Sequence, residues 1–214
     1  FFKNGPVISR NRKGNLELIS KSFPTSPMPN SRLSGLEGQS DGGDDNEING
    51  RQIKRIYEAP RWKEGFKEHP LLIPMSEFTE FAYWGKDIGS ALGFKIPNEN
   101  VLFAAGIAIK PLTPKGPPFS AYSIITHTAT QQMLDYHQRL IVLFEKKVAL
   151  GYLEGMSPEE RFNYIVENRY TGRLLVEKTR NMAKGWEKRI PVQSHKLAKE
   201  MTYREVIKKE NVEG

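Results

Sequence analysis

HPLLIPMSEFTEFAYW, residues 69–84, is the stretch from which the fold is read. It opens on an aliphatic run, Leu71 to Ile73, crosses Pro74, and then alternates residue types with the period of a pleated strand rather than of a helix. A strand over 77–83 puts its even positions on one face, so Glu80 falls between Phe78 and Ala82. Two readings of that carboxylate stand. Burial disfavours the charged form and raises a carboxyl pKa toward the range that proton transfer requires. Alternatively, Glu80 only marks a solvated or edge strand.

Outward from this stretch, the N-terminal side reads as follows. Ile56 to Glu68 has helical spacing, with Pro60 near its start and Trp62 and Phe66 on one face. Residues 6–23 read as a hairpin of core scaffolding: Val7 and Ile8, a polar turn from Arg10 to Asn15 containing Gly14, then Leu16, Leu18 and Phe23. Pro24, Pro27 and Pro29 exclude regular helix and most strand pairing, so an extended loop delivers Asn30 and Arg32, two residues apart and on one side. An asparagine in such a loop is either a site residue or a turn former. Residues 37–50, EGQSDGGDDNEING, have almost nothing apolar to bury and read as a flexible acidic insertion. Their carboxylates lack the spacing of a calcium loop.

On the C-terminal side, Phe94–Ile96 and Val101–Ile109 read as strands joined by a turn at 97–100, and FAAGIAI at 103–109 is apolar enough for a central strand. A proline-rich and glycine-rich loop at 111–118 leads to a strand over Tyr122–Thr126. TATQQMLDYHQ reads as a short helix capped by Thr128 or Thr130, with His137 at the end of the apolar side formed by Met133 and Leu134. LIVLF at 140–144 is a buried strand, and SPEE at 157–160 is a capping box with Pro158 at the first helical position. Residues 167–214 carry twelve Lys or Arg against seven acidic residues and read as a solvated basic C-terminal extension.

The composition, with 38% hydrophobic and 27% charged residues over 214, fits one domain with appendages. No apolar run approaches the roughly 20 residues of a membrane-spanning helix, and FFKNGPVISR lacks the apolar core of a signal peptide. A cytoplasmic protein with no membrane association is expected. The absence of cysteine excludes disulfides, thiolate zinc sites and a cysteine nucleophile within these residues. The net charge of +7 hides an asymmetry: residues 37–50 carry −5 and the remainder +12. A basic body attracts polyanions, nucleic acid first among them. His69, His127, His137 and His195 form no metal-ligand spacing, so neither a metal nor another cofactor is expected. Phosphate-loop and GxSxG motifs are absent, which leaves nucleotide hydrolysis and esterase chemistry without support.

What remains is an ordered set: Asn30-Ser31-Arg32, Ile73-Pro74 through Glu80-Phe81, Phe103 to Ile107, Thr126 to Ala129, and His137-Gln138-Arg139. In order and spacing, over about residues 24–144, the set resembles the SOS response-associated peptidase family, which crosslinks to abasic sites in single-stranded DNA. The family pattern is N-A-R, I-P-A-D-G-F-Y-E-W, F-A-G-L, T-x-A and H-D-R-M-P. The resemblance implies an α+β fold, a single domain with a mixed, barrel-like β-sheet core surrounded by several helices. It implies that Asn30 positions an N-terminal cysteine, that Glu80 transfers protons during ring opening and capture, and that His137 is a second acid or base. Arg32 and Arg139 would bind the flanking phosphates. The chain departs from the pattern at Ser34, Gln138 and Ile141, where glutamate, an acidic residue and proline are usual. It also begins about where the family's second or third strand would lie, so the segment bearing the nucleophile is expected to be missing from it. The expected function is binding of single-stranded or abasic-site DNA by a nucleoid-associated monomer, with covalent capture only if an N-terminal cysteine is present. A non-catalytic scaffold that keeps the fold is the alternative, and a peptidase confined to removing its own N-terminus is a third.

Overall fold

Lys3–Arg10 (β1) and Leu16–Phe23 (β2) pair antiparallel over their full length, from Lys3–Phe23 to Arg10–Leu16. Asn11 sets the turn: its side-chain oxygen accepts from the backbone N–H groups of Lys13 and Asn15 at 3.0 and 3.1 Å. The computed structural model describes residues 3–23, 47–48, 51–52, 56–58, 62–82, 85–110, 119–137 and 139–186. These divide into two compact units, one of residues 1–75, 101–128 and 141–170, the other of 76–100, 129–140 and 171–214.

In chain order the remaining strands are Glu47–Ile48 (β3), Arg51–Gln52 (β4), Pro70–Met75 (β5), Phe78–Ala82 (β6), Ser90–Lys95 (β7), Leu102–Ile109 (β8), Ala121–Ile124 (β9), Thr126–Thr128 (β10), Arg139–Ile141 (β11), Leu143–Phe144 (β12) and Leu175–Asn181 (β13). The helices are Lys63–Glu68 (α1), Lys146–Ala149 (α2) and Pro158–Asn168 (α3), with single 3-10 turns at Met133–Asp135 and Leu150–Leu153. The fold is α+β, dominated by antiparallel sheet.

The first unit is a closed ring of strands. β8 pairs with β5, β5 with β1, β1 with β2, β2 with β9, and β9 returns to β8. Every contact is antiparallel except β2–β9. β8 takes β5 along one edge over 102–107 and shares its other edge between β12 at 103–104 and β9 at 106–109. Its burial follows from that position, since all its residues but Phe103 are buried. Gly106 is required where the strands crowd: a Cβ there would stand 2.2 Å from Ile73 Cδ1 and 2.9 Å from the Ser123 carbonyl. The core combines Leu72, Ala105, Ile107, Ile125, Val142 and Phe144 with Trp62 and Phe66 of the α1 segment and Phe162 and Ile165 of α3. Tyr152 is fully buried and donates its hydroxyl to the Gly106 carbonyl at 2.9 Å, which satisfies both groups.

Several expectations hold and others change. The hairpin, the central strand, the buried LIVLF run and the capping box are present; Ser157 Oγ accepts from Glu160 N, and Glu160 accepts from Ser157 N. The helix read over 56–68 is shorter: 56–58 is a turn, and α1 begins after Trp62, beyond Pro60, which has no N–H to give. Trp62 and Phe66 nevertheless share the buried face. The hairpin's leucines are not core: Val7 is buried, whereas Leu16 and Leu18 lie at 44% and 68% exposure. The last part of the acidic segment, Glu47–Ile48, pairs with Arg51–Gln52. The loops at 24–36 and 111–118 and residues 37–46 lie outside the described residues.

Candidate functional site

The second unit is built on the antiparallel sheet β13-β7-β6, and Glu80 lies in the middle of β6. Register pairs Phe78 with Phe94, Glu80 with Leu92 and Ala82 with Ser90, so these six residues share one face. Phe78, Ala82, Ser90, Leu92 and Phe94 are all buried, and Glu80 is half-buried among them. The alternation read from the sequence is therefore the alternation of the strand: Thr79 is exposed, and Phe81 turns to the other face. That other face is charged. Arg180 lies 5.8 Å from the Phe81 ring centroid, and Lys95 contacts Glu77 at 3.4 Å and Glu177 at 3.9 Å. Exposed pairs of this kind add little stability, but they keep the two faces distinct.

His137 follows the 3-10 turn at Met133–Asp135 rather than lying in the helix expected over 128–138. Thr130 Oγ1 accepts from Met133 N at 3.4 Å, as one of the two expected caps, and His137 N donates to the Met133 carbonyl at 2.8 Å. Met133 is buried, and Leu134 and His137 are half-buried. The Gln132 amide clamps this turn to the segment before β13: its Nε2 donates to the Leu174 carbonyl and its Oε1 accepts from Leu174 N, both at 2.8 Å.

An aromatic column ties the histidine's turn to the glutamate's strand. Phe78 stacks on Phe94 at 5.0 Å and 13°, and Phe94 meets the edge of Tyr136 at 5.6 Å and 75°. Tyr136 precedes His137, and Phe78 lies one same-face position from Glu80. Burial, with Asp87 and Asp135 adding to it, raises the Tyr136 pKa, so this hydroxyl stays protonated at neutral pH.

Glu80, His137 and Arg139 thus belong to one compact unit. Arg139 begins β11, and its side chain lies outside the described ones; Asn30 and Arg32 lie outside the described residues altogether. Sequence reasoning missed Tyr136 and Lys178. Tyr136 was legible as an aromatic beside His137. Lys178 pairs with Leu92 from the other side, which puts it in the same cross-strand row as Glu80, and nothing local signals that. Among the described residues no group of His, Asp and Glu could hold a metal ion.

The model of the SOS response associated peptidase (SRAP) family matches residues 37–180, well over half of the 214. The chain belongs to the SRAP family. This SRAP match spans Glu80, His137 and Arg139 and begins after Asn30 and Arg32. Crystal structures of similar fold include a protein from Bacteroides thetaiotaomicron, 14% identical, with 92% of this chain and 82% of that one covered at a TM-score of 0.54. A protein from Bordetella bronchiseptica is 15% identical over 83% and 84% of the two chains at a TM-score of 0.57. A phage-related protein from the same organism is 14% identical over 83% and 78% at 0.54. At such identities the likeness is one of fold. It agrees with the expected α+β, barrel-like architecture. No curated protein matches the chain. SRAP membership associates the protein with the response to DNA damage and with DNA-related partners. No helix among the described residues is long and apolar enough to cross a membrane.

Proposed function

We propose that this SRAP protein binds single-stranded DNA, including strands that carry an abasic site, and that Glu80 and His137 move protons there. Asn30 positions the attacking residue, and Arg32 and Arg139 take phosphates beside the lesion. The observation that carries the reading is Glu80, a carboxylate on the apolar face of β6 between buried Phe78 and Ala82 and opposite buried Leu92. A half-buried carboxyl beside an aromatic column suits proton transfer, although β6 is also an edge strand of its sheet among the described residues, as the alternative reading of Glu80 requires. The +12 charge outside the acidic segment supplies the attraction for the strand. Covalent capture joins an aldehyde carbon to an N-terminal amine and thiol with loss of water, and it belongs to the reading only for a chain with a cysteine at its N-terminus.

The test is a gel shift with intact and abasic single strands across a salt series. Both strands are expected to bind at low salt and to weaken as salt rises. Arg139→Ala should weaken both and flatten the salt slope by about one unit. Glu80→Gln should leave the intact strand bound and abolish any preference for the abasic one. Absence of binding at low salt sinks the proposal. A second reading, a scaffold that keeps the fold without the chemistry, requires Glu80→Gln to change nothing.

A further inference from the structure

The first unit contains a cleft of about 1040 Å³ between the β1–β2 turn, the end of α1 and the segment Leu153–Arg161. Neither Glu80 nor His137 is among the described residues that line it. Five Lys or Arg face three carboxylates there, and two of those carboxylates are already matched, Glu154 by Arg10 and Glu68 by Lys67. Among the described residues, Lys21, Arg12 and Arg161 are left with no carboxylate ion pair.

At the cleft wall stands Phe119, whose φ of 60° is a conformation that bulky side chains rarely adopt. The strain is held from three sides. Lys21 Nζ donates to the Phe119 carbonyl at 2.6 Å, the His69 ring packs on the Phe119 ring at 4.1 Å, and Lys110 Nζ lies 5.5 Å from the ring centroid. Strain maintained by surrounding contacts is characteristic of functional surfaces. Here it brings an ammonium and an imidazole together on one aromatic residue. Burial lowers the proton affinity of both Lys21 and His69, with Glu17 opposing at Lys21 and Glu68 and Glu64 opposing at His69. Deeper in the wall, Arg161 is buried, and its Nε has no hydrogen-bond partner among the described residues.

We propose that this cleft binds a phosphomonoester of nucleotide size, its phosphate taken by Lys21 and His69. The phosphate class follows from an ammonium and an imidazole that both meet Phe119 at the cleft wall, two donors that an oxyanion with several acceptor oxygens can take together. The size follows from the volume, which lies at the upper end for small-molecule sites. A free nucleoside monophosphate and the 5′-terminal phosphate of a DNA strand share this chemistry. Glu80 does not line this cleft, and the proposal does not depend on the DNA-binding reading.

Calorimetric titration of the whole chain with adenosine monophosphate, and with 5′-phosphorylated and 5′-hydroxyl single strands, tests the proposal. Saturable binding of the mononucleotide with the two strands equal identifies a free nucleotide as ligand. Tighter binding of the phosphorylated strand identifies a strand end. In either case Lys21→Met should weaken the phosphate-dependent binding roughly tenfold, while Lys21→Arg retains it and Lys13→Met, outside the cleft lining, leaves it unchanged. Lys21→Met should also leave the 5′-hydroxyl strand bound as in the wild type, which keeps this result apart from the test of Glu80 and Arg139. The proposal is overturned if neither phosphate ligand binds, if adenosine binds as well as its monophosphate, or if Lys21→Met binds both phosphates normally.

Discussion

Replacing Gly65 with alanine sets two effects of opposite sign against each other at one atom. Gly65 lies inside α1, where alanine is favoured over glycine by about 1 kcal/mol. Its Cβ, however, would stand 2.2 Å from the carbonyl oxygen of Ala108 on β8, against the ordinary carbon–oxygen approach of about 3.3 Å. That oxygen cannot step aside cheaply. Ala108 is paired with Tyr122 on one edge and donates its N–H to the His69 carbonyl at 2.9 Å on the other. The helix must instead lift by about 1 Å, which loosens Phe66 and Trp62 from the core. Overpacking of this kind costs about 1–3 kcal/mol, and a backbone obstacle lies at the upper end or beyond it. The net expectation for Gly65→Ala is a loss of about 2 kcal/mol. With a urea slope of about 2 kcal/mol/M, the unfolding midpoint should fall by about 1 M. Urea unfolding followed by far-UV circular dichroism and tryptophan fluorescence reads it, since Trp62 lies in the same core. Gly155→Ala is the control, because a Cβ there meets nothing within 4 Å and its midpoint should stay put or rise slightly. A Gly65→Ala midpoint equal to or above the wild type would refute the close packing of α1 on β8.

Two further outcomes follow from the first unit. Arg161 donates through Nη1 to the carbonyls of Tyr152 at 2.6 Å and Glu154 at 3.2 Å, so Arg161→Met should cost about 2–3 kcal/mol. In differential scanning calorimetry that is a midpoint lower by roughly 5–10 °C, and an unchanged midpoint would show that water replaces the guanidinium without loss. His69 has its pKa lowered by burial first, with Lys21 lowering it further and Glu68 and Glu64 opposing. Above about pH 6.5 both the folded and unfolded forms of this histidine are neutral; below it the unfolded chain takes the proton first, so stability falls with pH. His69→Gln should flatten the stability profile between pH 7 and pH 5 in equilibrium urea unfolding, and a profile identical to that of the wild type would remove His69 as its cause.

Local patterns were legible because their causes are local. The alternation around Glu80, the capping box at Ser157 and the apolar runs at 103–109 and 140–144 all depend on residues a few positions apart. What escaped depends on pairing between distant segments. Leu16 and Leu18 read as core yet lie exposed on β2, and the charged stretch at 175–181 becomes a strand only through β7. The 130–137 segment had helical spacing, but its stability comes from Gln132 gripping Leu174 and from Tyr136 meeting Phe94, so one turn suffices. Glu80 was placed correctly on its face. Tyr136 and Lys178, which join it through an aromatic stack and a cross-strand row, had no local signature beyond a tyrosine next to His137. The cleft was invisible for the same reason, since a hairpin turn, a helix end and a loop more than 80 residues away form it.

The strand ring also has two joints of a single register pair each, Ile8–Leu72 between β1 and β5 and Ser22–Ala121 between β2 and β9. β1 and β2 are zipped by eight register pairs, but β2 meets β9 at the single pair Ser22–Ala121, reinforced by Ser22 N donating to the Ser120 carbonyl at 3.1 Å. A hoop under load parts where it is least stitched, so slow breathing of this unit should begin at the single-pair seams, the β2–β9 one among them. Phe119 sits immediately beside it, pinned by Lys21 from β2. That one lysine therefore works as a rivet across the gap, and whatever occupies or neutralises it will be felt as a change in how readily the ring opens.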